Sequence, residues 1–187
     1  MVQPARNVLH HFGVKAALVA AERTVIGLGR LFHFTVINEK GFTAACDTDL
    51  NGKVRAAIGA LDDHDLVFVH IKGPDLCAHD RDPLGKKAFL EAVDRALAPL
   101  FGRDLVIAVS GDHSTDSNTG GHCGDPVPSL VCAPLGRRDA ETAFGEGACM
   151  QGGLGRITGA SLLLTLLDHM GCLHNFRPTD NEILDGC

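Results

Sequence analysis

The sequence of 187 residues has no tryptophan and no tyrosine, and only 5% of its residues are aromatic. Its 17 lysines and arginines are scattered along a chain with a formal net charge of −6, so it lacks the basic surface that nucleic-acid-binding domains need. The longest apolar run, near residue 162, is too short to cross a membrane. We therefore expect neither nucleic acid nor a membrane as a partner.

The sequence also lacks any C-x-x-C pair, and its seven cysteines are an odd number. No basic segment followed by an apolar one marks a signal peptide at the start of the sequence. Free thiols in a reducing compartment fit this pattern, and we predict a cytoplasmic protein.

The hydrophobic share of 45% and the charged share of 21% are ordinary for a globular protein, so we predict a single domain over residues 1–187.

Hydrophobic periodicity predicts helices that alternate with short strands. The predicted helices cover residues 14–32, a segment that is capped by Thr48 or Asp49 and runs to about Leu61, residues 83–101 and residues 158–170. The predicted strands are residues 34–38, 65–71, 104–110 and 127–133. Such alternation indicates an α/β layered fold, in which helices flank a mostly parallel sheet.

Histidines and carboxylates are concentrated after two of these strands. The segment KGPDLCAHDRD contains Asp75 and His79, and SGDHSTDSNTGGHCGDPVPSLV contains Asp112, His113 and His122. If the strands at 65–71 and 104–110 are parallel neighbours, their carboxyl ends bring both segments to the sheet edge where open α/β sheets bind ligands.

These five side chains offer nitrogen and oxygen ligands together, which suit Zn²⁺ or Mn²⁺ better than Ca²⁺. Five ligands are too many for one catalytic zinc with an open position. They suit two ions about 3.5–4 Å apart, as in phosphoryl-transfer sites. Each residue taken alone has a simpler interpretation, as a solvated loop histidine or as a turn-forming or helix-capping aspartate. Their combination after two strands favours a metal site.

Two segments carry a resemblance to a known family: DLVFVHIKGPDLCAHDRD, and VIAVSGDHSTDSNTGGHCGDPVPSLV. They resemble the alkaline phosphatase superfamily, and in detail the cofactor-independent (2,3-bisphosphoglycerate-independent) phosphoglycerate mutases of the archaeal type. The likeness continues through residues 14–57 and through QGGLGRITGASLLLTLLDHMG, and it extends from about Val14 to Phe176. It implies a partial alkaline-phosphatase-like core. It also implies a glycolytic isomerase that acts on a small phosphorylated substrate, of which this chain is the C-terminal portion.

The resemblance implies a role for each candidate ligand. Asp75, His79 and His122 match the ligands of one ion, and Asp112 and His113 match ligands of a second. In the family, an N-terminal aspartate and a nucleophilic serine complete the second ion, and the serine carries the phosphoryl group between two hydroxyls of the glycerate. The 187 residues contain no match for either. We therefore assign no catalytic residue and expect the chain alone to be inactive, unless a separate polypeptide supplies the rest.

Three positions bear on this interpretation. Ser114 stands beside the ligands but matches a non-nucleophilic position of the family. The family usually has proline where Asp116 stands, and it tends to have a lysine where Gly120 stands. A non-catalytic metal-binding relative is one alternative. A phosphatase or a phosphonopyruvate-decarboxylase-related member of the same superfamily is another, although no thiamine-binding pattern is present and thiamine diphosphate is not expected.

Overall fold

The computed structural model describes residues 8–173, which divide into two compact units. The first unit contains the chain up to Gly102 together with Thr115–Gly121, and the second contains Arg103–Ser114 and the chain from His122 onward. The resemblance predicted as far as Phe176 ends outside the described residues. The single domain predicted over residues 1–187 stays a prediction.

A parallel sheet with flanking helices forms the first unit. Its elements are α1 (Val8–His11), β1 (Ala16–Val19), α2 (Arg23–Leu31), β2 (Thr35–Ile37), α3 (Leu50–Ala60), β3 (Leu66–Val69), α4 (Gly73–His79), α5 (Pro83–Leu97) and a 3₁₀ turn (Ala98–Leu100). The strand order is β2-β1-β3, and both pairings are parallel, with Ala17 opposite Thr35 and Val67. This arrangement confirms the predicted α/β class with a parallel sheet flanked by helices.

The cap predicted for the helix that runs to about Leu61 is found in the structure. The side chain of Asp49 accepts a hydrogen bond from the backbone N–H of Gly52 at 2.7 Å, so Asp49 rather than Thr48 caps α3. Helix α5 begins with Pro83 in its first turn, where a missing N–H costs nothing. It ends at Leu97, a few residues before the predicted end at residue 101.

The helix predicted over residues 14–32 is wrong in its first part. Residues Ala16–Val19 form β1, and all four are buried at the centre of the sheet. A short apolar run buried on both faces cannot be told from a buried helical segment by periodicity alone. The helix begins only at Arg23, after Glu22 has capped it by accepting a hydrogen bond from the Val25 N–H at 2.8 Å.

The second unit contains β4 (Ile107–Val109), β7 (Leu130–Cys132), α6 (Glu146–Cys149) and α7 (Gly159–His169). The predicted helix at residues 158–170 is confirmed, since Thr158 caps α7 through the Ser161 N–H at 3.1 Å. Strand β4 pairs with β7 in antiparallel fashion rather than with β3, which differs from the expected parallel pairing of the strands at 65–71 and 104–110. Two further short strands, β5 (Ser114–Asp116) and β6 (Gly121–Cys123), pair with each other. Among residues 8–173, no helix has both the length and the apolar composition needed to cross a bilayer.

Candidate metal centre

Helix α4 carries Asp75 and His79. The residues that follow β3, Gly73–His79, form a short helix with Pro74 in its first turn. Residues four apart on a helix share a face, so the D-x-x-x-H spacing places both side chains together. The Nε2 atom of His79 lies 3.3 Å from Oδ1 of Asp75. The helix therefore accounts for the four-residue spacing between Asp75 and His79.

Two donors hold the carboxylate of Asp75. Thr115 donates its hydroxyl proton to Oδ1 at 2.7 Å, and the Nζ of Lys72 donates to Oδ2 at 2.8 Å. Burial by itself would raise the pKa of Asp75, but the hydrogen bonds from Lys72 and Thr115 and the charge of Lys72 outweigh it and lower that pKa. Asp75 is therefore ionised at neutral pH, as a metal ligand must be.

The ring of His79 is oriented by a backbone carbonyl. Its Nδ1 lies 2.8 Å from the carbonyl oxygen of Gly120, and because a carbonyl can only accept, Nδ1 carries the proton. This leaves Nε2, which faces Asp75, as the nitrogen that can coordinate a metal. A histidine ligand whose other nitrogen donates to a carbonyl is the usual arrangement in metal sites, because the bond fixes both tautomer and ring orientation.

The loop between β5 and β6 is tied to the end of α4 by a second bond. The Nε of Arg81 donates to the carbonyl oxygen of Thr119 at 3.2 Å. Gly120 has a φ of +73°, and a Cβ at this position would lie 2.8 Å from the carbonyl oxygen of His79. Only glycine combines this backbone conformation with so close an approach.

His122 lies on β6, two residues beyond Gly120. One ligand atom from each of Asp75, His79 and His122 lies within 4.8 Å of the others. One carboxylate and two imidazoles form a donor set that Zn²⁺ and Mn²⁺ accept, and three protein ligands leave positions open for water or substrate. These three residues therefore fit a divalent ion.

Asp112 and His113 are paired with each other. The Nε2 of His113 lies 3.5 Å from Oδ2 of Asp112, whose side chain is 84% exposed. The His113 ring lies beside the His122 ring, with 3.8 Å between their centroids. Among residues 8–173, neither Asp112 nor His113 belongs to a group of three or more possible ligands, and their role in a second site stays a prediction.

Sequence reasoning missed three residues around α4. Thr115 and Lys72 hold Asp75, and the only signal was their position beside the candidate ligands. Lys53 on α3 is only 1% exposed, and its Nζ donates to the carbonyl oxygens of Thr43 at 3.2 Å and His70 at 2.9 Å. Burial lowers the pKa of Lys53. Because His70 follows β3 directly, Lys53 holds the segment that leads into α4.

The metalloenzyme superfamily is the family whose sequence model matches this chain, over residues 3–169. The chain belongs to that superfamily. The 2,3-bisphosphoglycerate-independent phosphoglycerate mutase of Methanosphaerula palustris is 40% identical over 166 residues, which are 88% of this chain and 40% of that protein. The protein of the same description from Pyrococcus furiosus is 39% identical over 167 residues, which are 87% of this chain and 41% of that protein. The chain thus spans about two fifths of the length of these curated relatives.

Solved structures of two archaeal proteins are similar to this chain. The PH0037 protein from Pyrococcus horikoshii has a TM-score of 0.87 at 37% identity, covering 90% of this chain and 52% of that one. The cofactor-independent phosphoglycerate mutase from Thermoplasma acidophilum has a TM-score of 0.69 at 28% identity, covering 87% of this chain and 38% of that one. The resemblance to the cofactor-independent phosphoglycerate mutases, predicted from DLVFVHIKGPDLCAHDRD and VIAVSGDHSTDSNTGGHCGDPVPSLV, is confirmed.

Proposed function

We propose that this chain binds a divalent ion, Mn²⁺ or Zn²⁺, through Asp75, His79 and His122. We propose further that it is the metal-binding portion of a cofactor-independent phosphoglycerate mutase, an isomerase that interconverts 2- and 3-phosphoglycerate. One observation carries the proposal: the three ligand atoms lie within 4.8 Å of one another in a chain that is 40% identical to a protein of that description.

The residues around the ligands support this role. Lys72 and Thr115 keep the carboxylate of Asp75 ionised and oriented, and Gly120 fixes the tautomer of His79. When bound, a divalent ion neutralises charge on a phosphoryl group and lowers the pKa of a nucleophile. The family's nucleophilic serine and its aspartate have no match among the 187 residues, and we propose that a further polypeptide segment, on this chain or another, supplies them.

A second ion belongs to the same proposal. Asp112 and His113 match two of its ligands in the family, and their side chains pair at 3.5 Å beside the ring of His122. Two protein ligands cannot enclose an ion, so water has to fill the remaining positions. We expect this second ion to bind more weakly than the first in the 187-residue chain.

Metal titration tests the proposal. After chelation and dialysis, the chain is titrated with Mn²⁺ by calorimetry, and the metal content is checked by elemental analysis. The wild type should show one tight and one weak site. The His79→Ala/His122→Ala variant should lose at least about 100-fold of the tight-site affinity. His169→Ala is the matched control, because His169 is an exposed histidine at the end of α7. Equal metal content in the double variant and the wild type would overturn the proposal.

A metal-binding relative without mutase activity is the second candidate, and Gly120 favours it. The family tends to carry a lysine at this position. Here residue 120 is glycine, so that positive charge is absent, and with a φ of +73° a Cβ at this position would lie only 2.8 Å from the carbonyl oxygen of His79. Cations strengthen the binding of phosphate groups. Titration of the Mn²⁺-loaded chain with 3-phosphoglycerate separates the two: binding supports the mutase portion, and no binding supports the metal-binding relative.

A further inference from the structure

Two cysteine sulfurs are in contact beside the ligands of α4. Cys77 lies in α4 between Asp75 and His79 and is 8% exposed. Cys46 lies in the segment between β2 and α3 and is exposed. Their Sγ atoms are 3.5 Å apart, and both are free thiols in this structure. The sulfur of Cys46 also lies 3.7 Å from the carbonyl oxygen of Gly73, the first residue of α4.

This geometry separates the roles of the two thiols. An oxidant in solution reaches the exposed Cys46, whereas Cys77 is shielded by the protein. The backbone around Cys46 is held in place, because Thr43 donates its hydroxyl proton to Asp47 at 2.6 Å and its backbone N–H to the Thr48 hydroxyl at 3.1 Å. The sulfur that oxidation would modify first therefore already has a second sulfur beside it.

We propose that Cys46 and Cys77 form a redox modification site, in which a peroxide converts the two thiols into a disulfide. Cys46 attacks the peroxide, its O–O bond breaks, one oxygen leaves as water, and the other stays on Cys46 as a sulfenic acid. The Cys77 sulfur then attacks the Cys46 sulfur, the S–O bond breaks, and a second water leaves. The two thiols lose two electrons and two protons in total, and one hydrogen peroxide is reduced to two waters.

We expect the disulfide to move α4, which carries Asp75 and His79. The effect of this movement on metal binding rests on the proposed metal site. A disulfide has an S–S length of about 2.05 Å, so the sulfurs must approach by about 1.5 Å from their separation of 3.5 Å. Metal–ligand distances in proteins tolerate changes of only about 0.2 Å. The α4 turn between Asp75 and His79 needs to move by only a fraction of this 1.5 Å to displace the ligand atoms by more than 0.2 Å. We expect oxidation to weaken divalent-ion binding by about tenfold or more, the scale of changes in the surroundings of metal ligands.

The first experiment maps the disulfide. Metal-free chain is treated with one equivalent of hydrogen peroxide at neutral pH, and thiols are counted after denaturation. The count should fall from the seven cysteines of the sequence to five, and peptide mapping should recover Cys46 joined to Cys77. Cys46→Ser should abolish this crosslink, whereas Cys132→Ser, which removes another exposed thiol, should leave it unchanged. A crosslink elsewhere, or no crosslink, would overturn the modification site.

The second experiment measures the coupling to the metal. Mn²⁺ is the probe because it prefers oxygen and nitrogen to thiolate ligands. Oxidised chain should bind Mn²⁺ about tenfold or more weakly than reduced chain, and a phosphine reductant should restore the affinity. In Cys46→Ser, peroxide should leave the affinity unchanged. Equal affinity of the oxidised and reduced wild type would overturn the coupling. If the reduced wild type binds no Mn²⁺, the metal proposal fails, and the peptide map alone decides the modification site.

Discussion

The ring of His79 and the backbone of Gly120, 41 residues apart in the chain, are joined by a hydrogen bond. The Nδ1 of His79 lies 2.8 Å from the carbonyl oxygen of Gly120, and a Cβ on Gly120 would lie 2.8 Å from the carbonyl oxygen of His79. The contact does two things at once. It holds the loop between β5 and β6 against the end of α4, and it directs Nε2 of His79 toward Asp75.

We therefore expect Gly120→Ala to damage both stability and metal binding. Alanine at a φ of +73° is strained, and its Cβ would push the loop away from α4. The free energy of unfolding should fall by about 1–3 kcal/mol, and Mn²⁺ affinity should fall with it. Gly124→Ala is the matched control, since nothing lies within 4 Å of a Cβ there, and its effect should stay within about 0.5 kcal/mol. Equal unfolding curves for the two variants would contradict this account.

Thr115 should control metal affinity without being a ligand. Thr115→Val keeps the size of this buried side chain but removes the hydroxyl that donates to Oδ1 of Asp75 at 2.7 Å. With Asp75 less well oriented, Mn²⁺ affinity should fall by about 10- to 100-fold. Thr115→Ser retains the hydroxyl and should recover most of the affinity. Loss of affinity in both variants to the same extent would mean that the methyl group, not the hydrogen bond, matters.

The candidate ligands stand out in the sequence because histidines and carboxylates are rarely concentrated after buried strands. Helix α4 could not be predicted, since Gly73 and Pro74 indicate a turn as readily as a helix start. The partners of the ligands could not be predicted. Thr115 reaches Asp75 across 40 residues of chain, and such a contact depends on tertiary packing that periodicity does not contain.

The strands could be predicted where their local sequence pattern has few alternatives. The β-branched run at 65–71 gave β3 correctly, because a short run of this kind bounded by polar residues has few alternatives. The run at 16–19 cannot be told from the start of a helix by its pattern, because the apolar residues after it continue at helical spacing into α2. The four predicted strands each contain an observed strand, whereas the cap of α3 was open between Thr48 and Asp49 until the structure showed the side-chain bond of Asp49.

Acid should remove the stabilisation that Asp75 provides. Its pKa is lowered in the folded chain, so the unfolded chain binds the proton first as pH falls below the ordinary value of 3.8. The contribution is fully present above that value and is lost as pH falls through the folded pKa. With a chelator present, the difference in unfolding free energy between wild type and Asp75→Asn should shrink as pH is lowered from about 6 to about 3. Lys72→Met removes one of the donors to Asp75 and should weaken this pH dependence of the unfolding free energy. An unchanged pH dependence would contradict the assignment of the lowered pKa of Asp75 to Lys72.

The last prediction concerns catalysis. The 187-residue chain alone should not interconvert 2- and 3-phosphoglycerate at a rate near that of a complete enzyme, because we propose that the family's nucleophilic serine is supplied by a segment outside these residues. Removing one member of a cooperating catalytic set costs many orders of magnitude. A coupled mutase assay with Mn²⁺ is run on the chain alone and with the N-terminal segment of the Methanosphaerula palustris relative. Activity should be restored in the mixture and should be absent when the chain carries His79→Ala/His122→Ala. Strong activity from the chain alone would place the nucleophile within these residues. The Ser114→Ala variant would then test whether Ser114 is that nucleophile.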